Sequence, residues 1–492
     1  MIQKVKCESN AVMGADNSDS QASNDDLGND YFSERQLKKG AAGWILLAGL
    51  GVAYVISGDY AGWNFGLAQG GWGGLVIATF LMAVMYTAMI FSLAELSATI
   101  PTAGGGYGFA RRAFGPFGGF LTGTAILLEY AVAPAAIASF ISAYMDSLFG
   151  ISGWTVSLAF YAVFIGIHIY GVGEALKLIF VVTILAVIGL IIFIVAMIPH
   201  FAFANLFDIP VEGGIGASKF LPFGIIGIWA AIPYGMWFFL AVEGLPLAAE
   251  ETADPTKNIP KGMITAILVL LLLATLVLIV GPGGGGAANL AGASDPLIAA
   301  MRADTAYGEP TLTGKVINIV GLLGLIASFF SIIFGYSRQV FALSRAGYLP
   351  RVLSLTTKRK TPYLALLVPG TLGFILSLYV DGNILILVAV FGAAISYVFM
   401  MVAHIKLRVS EPDMERPYLT PGGIFTSSTA LVLAIIALIS GYLVEPSVII
   451  YAAIFYILMM SYFILYSRHQ LVAQAPEEEF AAIQKAETSL DN

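Results

Sequence analysis

The sequence predicts an all-α membrane protein with twelve transmembrane helices, and two observations support this fold class. Of the 492 residues, 58% are hydrophobic and only 11% are charged, whereas a soluble domain carries about a quarter charged residues. The apolar residues also come in long blocks, such as 178–198 and 316–334, and a helix needs ~20 residues to cross a bilayer. Such blocks fill the chain, which excludes a soluble domain with a single membrane anchor.

The apolar blocks divide the chain into twelve predicted spans. They cover residues 43–67, 73–100, 117–148, 154–170, 175–198, 223–249, 262–281, 315–344, 362–380, 384–405, 427–444 and 447–467. Residues 1–34 are polar and acidic and lack the apolar core of a signal peptide, so we expect a disordered cytoplasmic leader. Residues 469–492 are expected to form a cytoplasmic tail.

The distribution of lysine and arginine predicts how the chain is oriented. With the amino terminus inside, the predicted outer loops hold only Lys219, Arg302 and Lys315, and the other 21 of the 24 basic residues fall on the inner side. Cytoplasmic loops of membrane proteins carry an excess of basic residues. We therefore expect a multi-pass protein of the cytoplasmic (inner) membrane with both termini in the cytoplasm.

Four acidic residues lie inside predicted spans and away from the helix ends: Asp59 in span 1, Glu95 in span 2, Glu129 in span 3 and Glu243 in span 6. Ionisable groups at membrane depth are costly to bury, which makes them functional candidates by default. The alternative for each is a structural carboxyl group that is protonated or bonded to a neighbouring helix.

Two spans contain an interruption that predicts an unwound segment. Ile56-Ser57-Gly58-Asp59-Tyr60 lies midway along span 1, and Trp237-Phe238-Phe239-Leu240-Ala241-Val242-Glu243-Gly244-Leu245-Pro246 lies in span 6. The backbone groups freed at such a break are satisfied by a ligand, an ion or water. The interruptions are five spans apart, which predicts two inverted five-helix repeats, residues 35–198 and 199–408, with spans 11 and 12 outside them in 409–468.

Together with three further motifs, these residues resemble the amino acid/polyamine/organocation (APC) superfamily of transporters. The motifs are Pro101-Thr102-Ala103-Gly104-Gly105-Gly106-Tyr107, Ala249-Glu250-Glu251 and Ala342-Leu343-Ser344-Arg345-Ala346-Gly347-Tyr348-Leu349-Pro350. Within the superfamily, residues 55–64 are most similar to ethanolamine permeases. The resemblance covers about residues 35–470 and implies secondary active or potential-driven uptake by alternating access.

The resemblance also implies a substrate and a binding site. Amino acid permeases hold the substrate carboxylate on the backbone of a glycine-rich break in span 1, where this chain has Ile56 and Asp59. An acid at this place favours a small organic amine, above all ethanolamine, and a neutral amino acid is the alternative substrate. Glu95 and Glu129 are expected to be structural. The predicted substrate-binding residues are Tyr54, Ile56, Ser57, Gly58, Asp59, Tyr130, Trp237, Phe239, Ala241 and Glu243.

The expected partners are the amine substrate, the lipid bilayer and a coupling ion, for which a proton and sodium both stay open. Some superfamily members carry a lysine in span 5 that takes the place of a sodium ion, and here Ala186 lies near that position. Ser328 in span 8 could contribute to a sodium site. Scattered histidines and a single cysteine predict no cofactor, metal site or enzyme activity, and no nucleic-acid partner is expected. A channel or receptor would need no central site between two broken helices.

Overall fold

The computed structural model describes residues 31, 34–40, 42–101, 104–302 and 312–472. Nearly all of the predicted leader and the tail from residue 473 onward lie outside these ranges. Within them the chain is helical, and its β-structure is limited to one isolated bridge between Ala42 and Thr252.

The described residues contain twelve apolar helical spans in the predicted order. Nine are long and apolar enough to cross a membrane, and spans 1, 4 and 9 are shorter apolar helices. The fold class is therefore confirmed, and the division into repeats at residues 198 and 408 stays a prediction. The observed bounds are Trp44–Val55 with Ser57–Tyr60 for span 1, then Phe65–Thr99, Gly106–Phe149, Trp154–Tyr170, Val172–Met197, Gly224–Trp237 with Val242–Glu251, Pro255–Gly285, Leu312–Arg345, Tyr363–Tyr379, Gly382–Ser410, Ile424–Val444 and Pro446–Leu465.

Two glycines with positive φ separate helices that otherwise run into each other. Gly71 has φ 66° inside Phe65–Thr99, and Gly115 has φ 76° inside Gly106–Phe149. This backbone region is open to glycine and strained for other residues. Gly71 therefore turns the chain between residues 65–70, which complete span 1, and span 2, and Gly115 makes a similar turn before span 3.

Spans 1 and 6 are interrupted, as predicted, and the two interruptions touch. The span 1 helix stops at Val55 and again before the extended residue Ala61, while span 6 stops at Trp237 and resumes after Ala241, which has φ 79°. A methyl group on Gly58 would lie 2.6 Å from the carbonyl oxygen of Trp237. The missing side chain at Gly58 thus lets the two broken backbones meet.

The centre of the helix bundle holds the interrupted spans. Span 3 packs against spans 8 and 10, and span 2 packs against spans 6 and 7. Spans 5, 9, 11 and 12 expose large apolar side chains, for example Leu185, Leu372, Ile439 and Leu458, as expected for helices that face lipid. The interruptions are therefore shielded from lipid by other helices, which is where a membrane protein tolerates irregular backbone.

We predict that two engineered cysteines, introduced after Cys7 is changed to serine, will be labelled from opposite sides of the membrane. Ser294, between spans 7 and 8, and Lys358, between spans 8 and 9, are both exposed and are separated by one span. An impermeant maleimide should label Ser294→Cys in intact cells and Lys358→Cys only after permeabilisation. Labelling of both cysteines from one side would contradict the topology.

Candidate substrate-binding site between spans 1 and 6

A small cavity lies between the interrupted parts of spans 1 and 6. The space within it that the centre of a water-sized sphere can occupy is about 10 Å³. One water molecule needs about this much room. A substrate with several heavy atoms can enter only when the surrounding spans move apart. Spans 1, 3, 6 and 8 contribute the wall, which is formed by Tyr54, Val55, Ser57, Ala133, Trp237, Leu240 and Ile332.

The hydroxyl group of Tyr54 in this wall has no hydrogen-bond partner among the described residues. The side chain is only 1% exposed, and its ring lies 6.2 Å from the ring of Tyr130. A buried polar group without a partner costs roughly 1–3 kcal/mol. The geometry therefore leaves the Tyr54 hydroxyl available to a ligand in the cavity.

Ser328 of span 8 bridges the interruption in span 1. Its hydroxyl accepts a hydrogen bond from the N–H of Ser57 at 2.8 Å and donates one to the carbonyl of Ala53 at 2.6 Å. Residues 53 and 57 are one helical turn apart, so the serine hydroxyl takes the place of their direct backbone bond, a known cause of helix breaks. In this conformation the Ser328 hydroxyl is thus occupied by span 1, and Ser331 bonds back to the carbonyl of Ser328 at 3.0 Å.

Asp59 is fully buried, and it is not among the residues that line the cavity. Neither of its carboxyl oxygens has a hydrogen-bond partner among the described residues. The next residue, Tyr60, donates its hydroxyl to the carbonyl of Ala186 in span 5 at 2.7 Å. A carboxyl group in such a place either holds a proton or awaits a cation.

Most of the other predicted residues lie beside the cavity. The hydroxyl of Tyr130 lies 3.3 Å from the carbonyl oxygen of Ala241 and 3.4 Å from Oε1 of Glu243. The ring of Phe239 packs against Tyr86 with 5.5 Å between centroids. Of the ten predicted binding residues, the cavity wall contains Tyr54, Ser57 and Trp237, and a binding role for all ten stays a prediction.

Four residues of the wall were not predicted from the sequence: Val55, Ala133, Leu240 and Ile332. All are apolar residues within apolar spans, so composition and pattern do not distinguish them from residues that face lipid. The one available signal was proximity to the interruptions, which Val55 and Leu240 adjoin in sequence.

Glu95 lies outside the site, in a cluster of ion pairs at the end of span 2. Its carboxylate contacts Arg408 at 2.5 Å, Arg416 at 3.2 Å and His404 at 3.4 Å, and it accepts the N–H of Thr420 at 2.7 Å. The cluster ties span 10 and the segment that follows it to span 2. This geometry supports the structural role that was expected for Glu95.

Two ion pairs join the second half of span 6 to span 8. Arg338 contacts Glu251 at 2.6 Å, with both side chains fully buried, and Arg345 contacts Glu250 at 2.5 Å. The segment before span 1 joins them, because the N–H of Ala42 donates to the carbonyl of Glu251 at 3.2 Å. Removing one partner of a buried ion pair is costly, so these contacts stabilise the packing of the second half of span 6 on span 8.

The chain is similar to known transporters over most of its length. A family model described as "Amino acid permease" matches residues 44–460. An uncharacterized transporter of Rhizobium meliloti is 28% identical over 76% of this chain and 80% of its own length. Two Bacillus subtilis proteins are also similar: a branched-chain amino acid permease, 26% identical over 71% of this chain and 77% of its own length, and a methylthioribose transporter, 25% identical over 72% and 78%.

We predict that Glu251→Gln will strongly destabilise the protein, because it leaves the charge of Arg338 buried without a partner. Breaking a buried pair in this way costs about 3–5 kcal/mol, and the double change Arg338→Met/Glu251→Leu should recover most of the loss. The pair Arg112–Glu411 is a matched control, since it has the same 2.6 Å contact with side chains 30% and 29% exposed.

Thermal unfolding of the purified protein in detergent measures both effects. Glu411→Gln should cost no more than about 1 kcal/mol, as exposed pairs do. Equal stability of Glu251→Gln and Glu411→Gln would contradict the stabilising role of the buried pair.

Proposed function

The chain belongs to the amino acid permease family of the APC superfamily, and from this premise we propose that it takes up a neutral amino acid across the cytoplasmic membrane by alternating access. Membership supports a multi-pass transporter of a small molecule rather than an enzyme. The similarity to a branched-chain amino acid permease supports a neutral amino acid, the alternative substrate of the sequence analysis, over ethanolamine.

The observation that carries the proposal is the small cavity between the two interruptions. Its wall contains no charged side chain, and Val55, Leu240 and Ile332 offer apolar surface to an aliphatic side chain. The unpartnered Tyr54 hydroxyl offers a hydrogen bond to a polar group of the same substrate. An aliphatic amino acid has no net charge, an apolar side chain and one polar end. It therefore fits a wall that is apolar except for polar groups such as the Tyr54 hydroxyl.

The contacts around the cavity suggest how access alternates. In this structure Trp237 is held against span 1 by its hydrogen bond to the carbonyl of Ala61 at 3.0 Å. On the side of the Lys358 loop, the pair Arg338–Glu251 holds the second half of span 6 to span 8. Movement of that half away from span 8 breaks the ion pairs and opens the cavity to one side, while the Trp237 contact keeps the other side closed.

Uptake into proteoliposomes tests the proposed substrate. Radiolabelled L-leucine should accumulate, and unlabelled alanine should compete with it, because both present an uncharged apolar side chain to the cavity. Arginine should compete poorly, since the wall has no acidic side chain to pair with a guanidinium group. Absence of leucine uptake and binding by a well-folded protein would refute the proposal.

We predict that Tyr54→Phe will raise the KM for leucine by about two- to thirteenfold, as expected for loss of one neutral hydrogen bond of roughly 0.5–1.5 kcal/mol. Tyr161→Phe is the matched control. Its hydroxyl is also buried and without a partner among the described residues, but Tyr161 lies in span 4 and does not line the cavity. If both variants shift KM equally, Tyr54 has no specific contact with substrate.

Ethanolamine is a second candidate substrate, and the unpartnered carboxyl group of Asp59 favours it. Opposite unit charges about 4 Å apart attract by roughly 4 kcal/mol at an effective dielectric constant near 20, before desolvation. We predict that Asp59→Asn will weaken ethanolamine binding by about 2–5 kcal/mol, the usual cost of removing one partner of a buried charge pair. Leucine binding by the same variant is the control and should change little. Unchanged ethanolamine affinity in a folded Asp59→Asn protein would exclude the pairing.

A further inference from the structure

Two buried carboxyl groups from different spans lie close together near the interruption of span 6. Glu129 of span 3 is 0% exposed, and Glu243, just after the interruption of span 6, is 6% exposed. Glu129 adjoins Tyr130 in span 3, and the Tyr130 hydroxyl lies 3.4 Å from Oε1 of Glu243, which brings the two carboxyl groups close enough to interact electrostatically. Both oxygens of Glu129 and Oε2 of Glu243 lack a well-aligned hydrogen-bond partner among the described residues.

Tyrosines surround this carboxyl pair. The hydroxyls of Tyr86 in span 2 and Tyr397 in span 10 lie 3.1 Å apart, and both are within electrostatic reach of the two carboxyl groups. Tyr54 of span 1 is within reach of the span 6 carboxyl. Two further charged side chains, those of Arg338 and Glu251, also lie near Tyr54. They are paired with each other. In the described part of the chain, neither member of the carboxyl pair forms a salt bridge with a lysine, arginine or histidine.

Two ionised carboxylates in such a place would repel each other. At about 4 Å and an effective dielectric constant near 20 the repulsion is roughly 4 kcal/mol, and burial adds the cost of desolvating each charge. When two carboxyl groups share a buried site, one of them keeps a proton. We propose that Glu129 and Glu243 form a proton-binding site that holds one shared proton, and that this proton is the coupling ion of transport.

The position of the pair connects its proton to the movement of span 6, a step that rests on the proposed function. Tyr130 contacts both Glu243 and the carbonyl of Ala241, the residue with φ 79° at the interruption. When the second half of span 6 moves away from span 3, Glu243 leaves Glu129 and the shared proton loses one of its two acceptors. Water on the newly open side then takes the proton, so that one O–H bond breaks at the carboxyl group and one forms in hydronium.

In the reverse step, hydronium on the opposite side gives a proton to one carboxylate of the pair. A neutral amino acid transported with this proton carries one positive charge inward per cycle. The membrane potential then contributes about 2.3 kcal/mol per 100 mV. The route needs no basic residue in span 5, where Ala186 lies near the position at which some superfamily members carry a lysine.

Infrared spectroscopy of the purified protein tests the proton site without any substrate. Wild-type protein at neutral pH should show the C=O stretching band of a protonated carboxylic acid from this pair, and the band should disappear in Glu129→Gln/Glu243→Gln. Asp59→Asn serves as a control for the other unpartnered acid in the spans, and it should remove a different band or none. An unchanged spectrum in the folded double variant would overturn the proposal.

Transport tests the coupling. With an imposed proton gradient, wild-type proteoliposomes should accumulate labelled leucine, and Glu129→Gln should lose this accumulation while it keeps leucine counterflow, which needs no net proton movement. Gradient-driven accumulation by Glu129→Gln equal to wild type would overturn the coupling role. If wild-type protein carries no leucine at all, the proposed function fails, and the infrared result still decides whether the pair holds a proton.

Discussion

The structure depends on one constraint, which is that every backbone polar group at membrane depth needs a partner inside the protein. The two broken helices would violate it without help from other spans. Ser328 bridges the break in span 1, Trp237 donates to the carbonyl of Ala61, and Tyr130 donates to the carbonyl of Ala241. The cavity lies where these side chains replace helical hydrogen bonds. The same side chains therefore shape the site and satisfy the backbone polar groups at the breaks.

The number and order of the spans could be predicted from the sequence because a bilayer demands long apolar helices, and such blocks are visible in composition alone. What hydropathy could not locate is where a helix turns. Gly71 and Gly115 redirect the chain through their positive φ angles, yet 54 glycines occur in the sequence, and composition does not separate these two from glycines that only permit close packing.

The candidate site was predicted in part, for a related reason. Acidic residues stand out in an apolar span, so Asp59 and Glu243 were found, but their contacts depend on residues far away in sequence. Ser328 lies 271 residues from the backbone group it binds, a contact that no local pattern contains. The expectation of an amine substrate rested on placing Asp59 in the cavity wall, and in this structure Asp59 is absent from that wall.

The buried acids divide into two groups by their partners, and the division suggests how the protein combines rigidity with movement. Glu95 and Glu251 are paired with arginines. Leaving a buried charge unpaired costs several kcal/mol. These ion pairs therefore stabilise the contacts between the helices that they join. Asp59 and Glu129 have no such partner, so a proton or a cation can bind and leave without breaking an existing ion pair. The paired acids lie at the ends of spans 2 and 6, and the unpaired acids lie in the middle of spans 1 and 3. The acids that join helices through ion pairs therefore lie at helix ends. The acids that are free to bind a proton or a cation lie in the middle of spans 1 and 3.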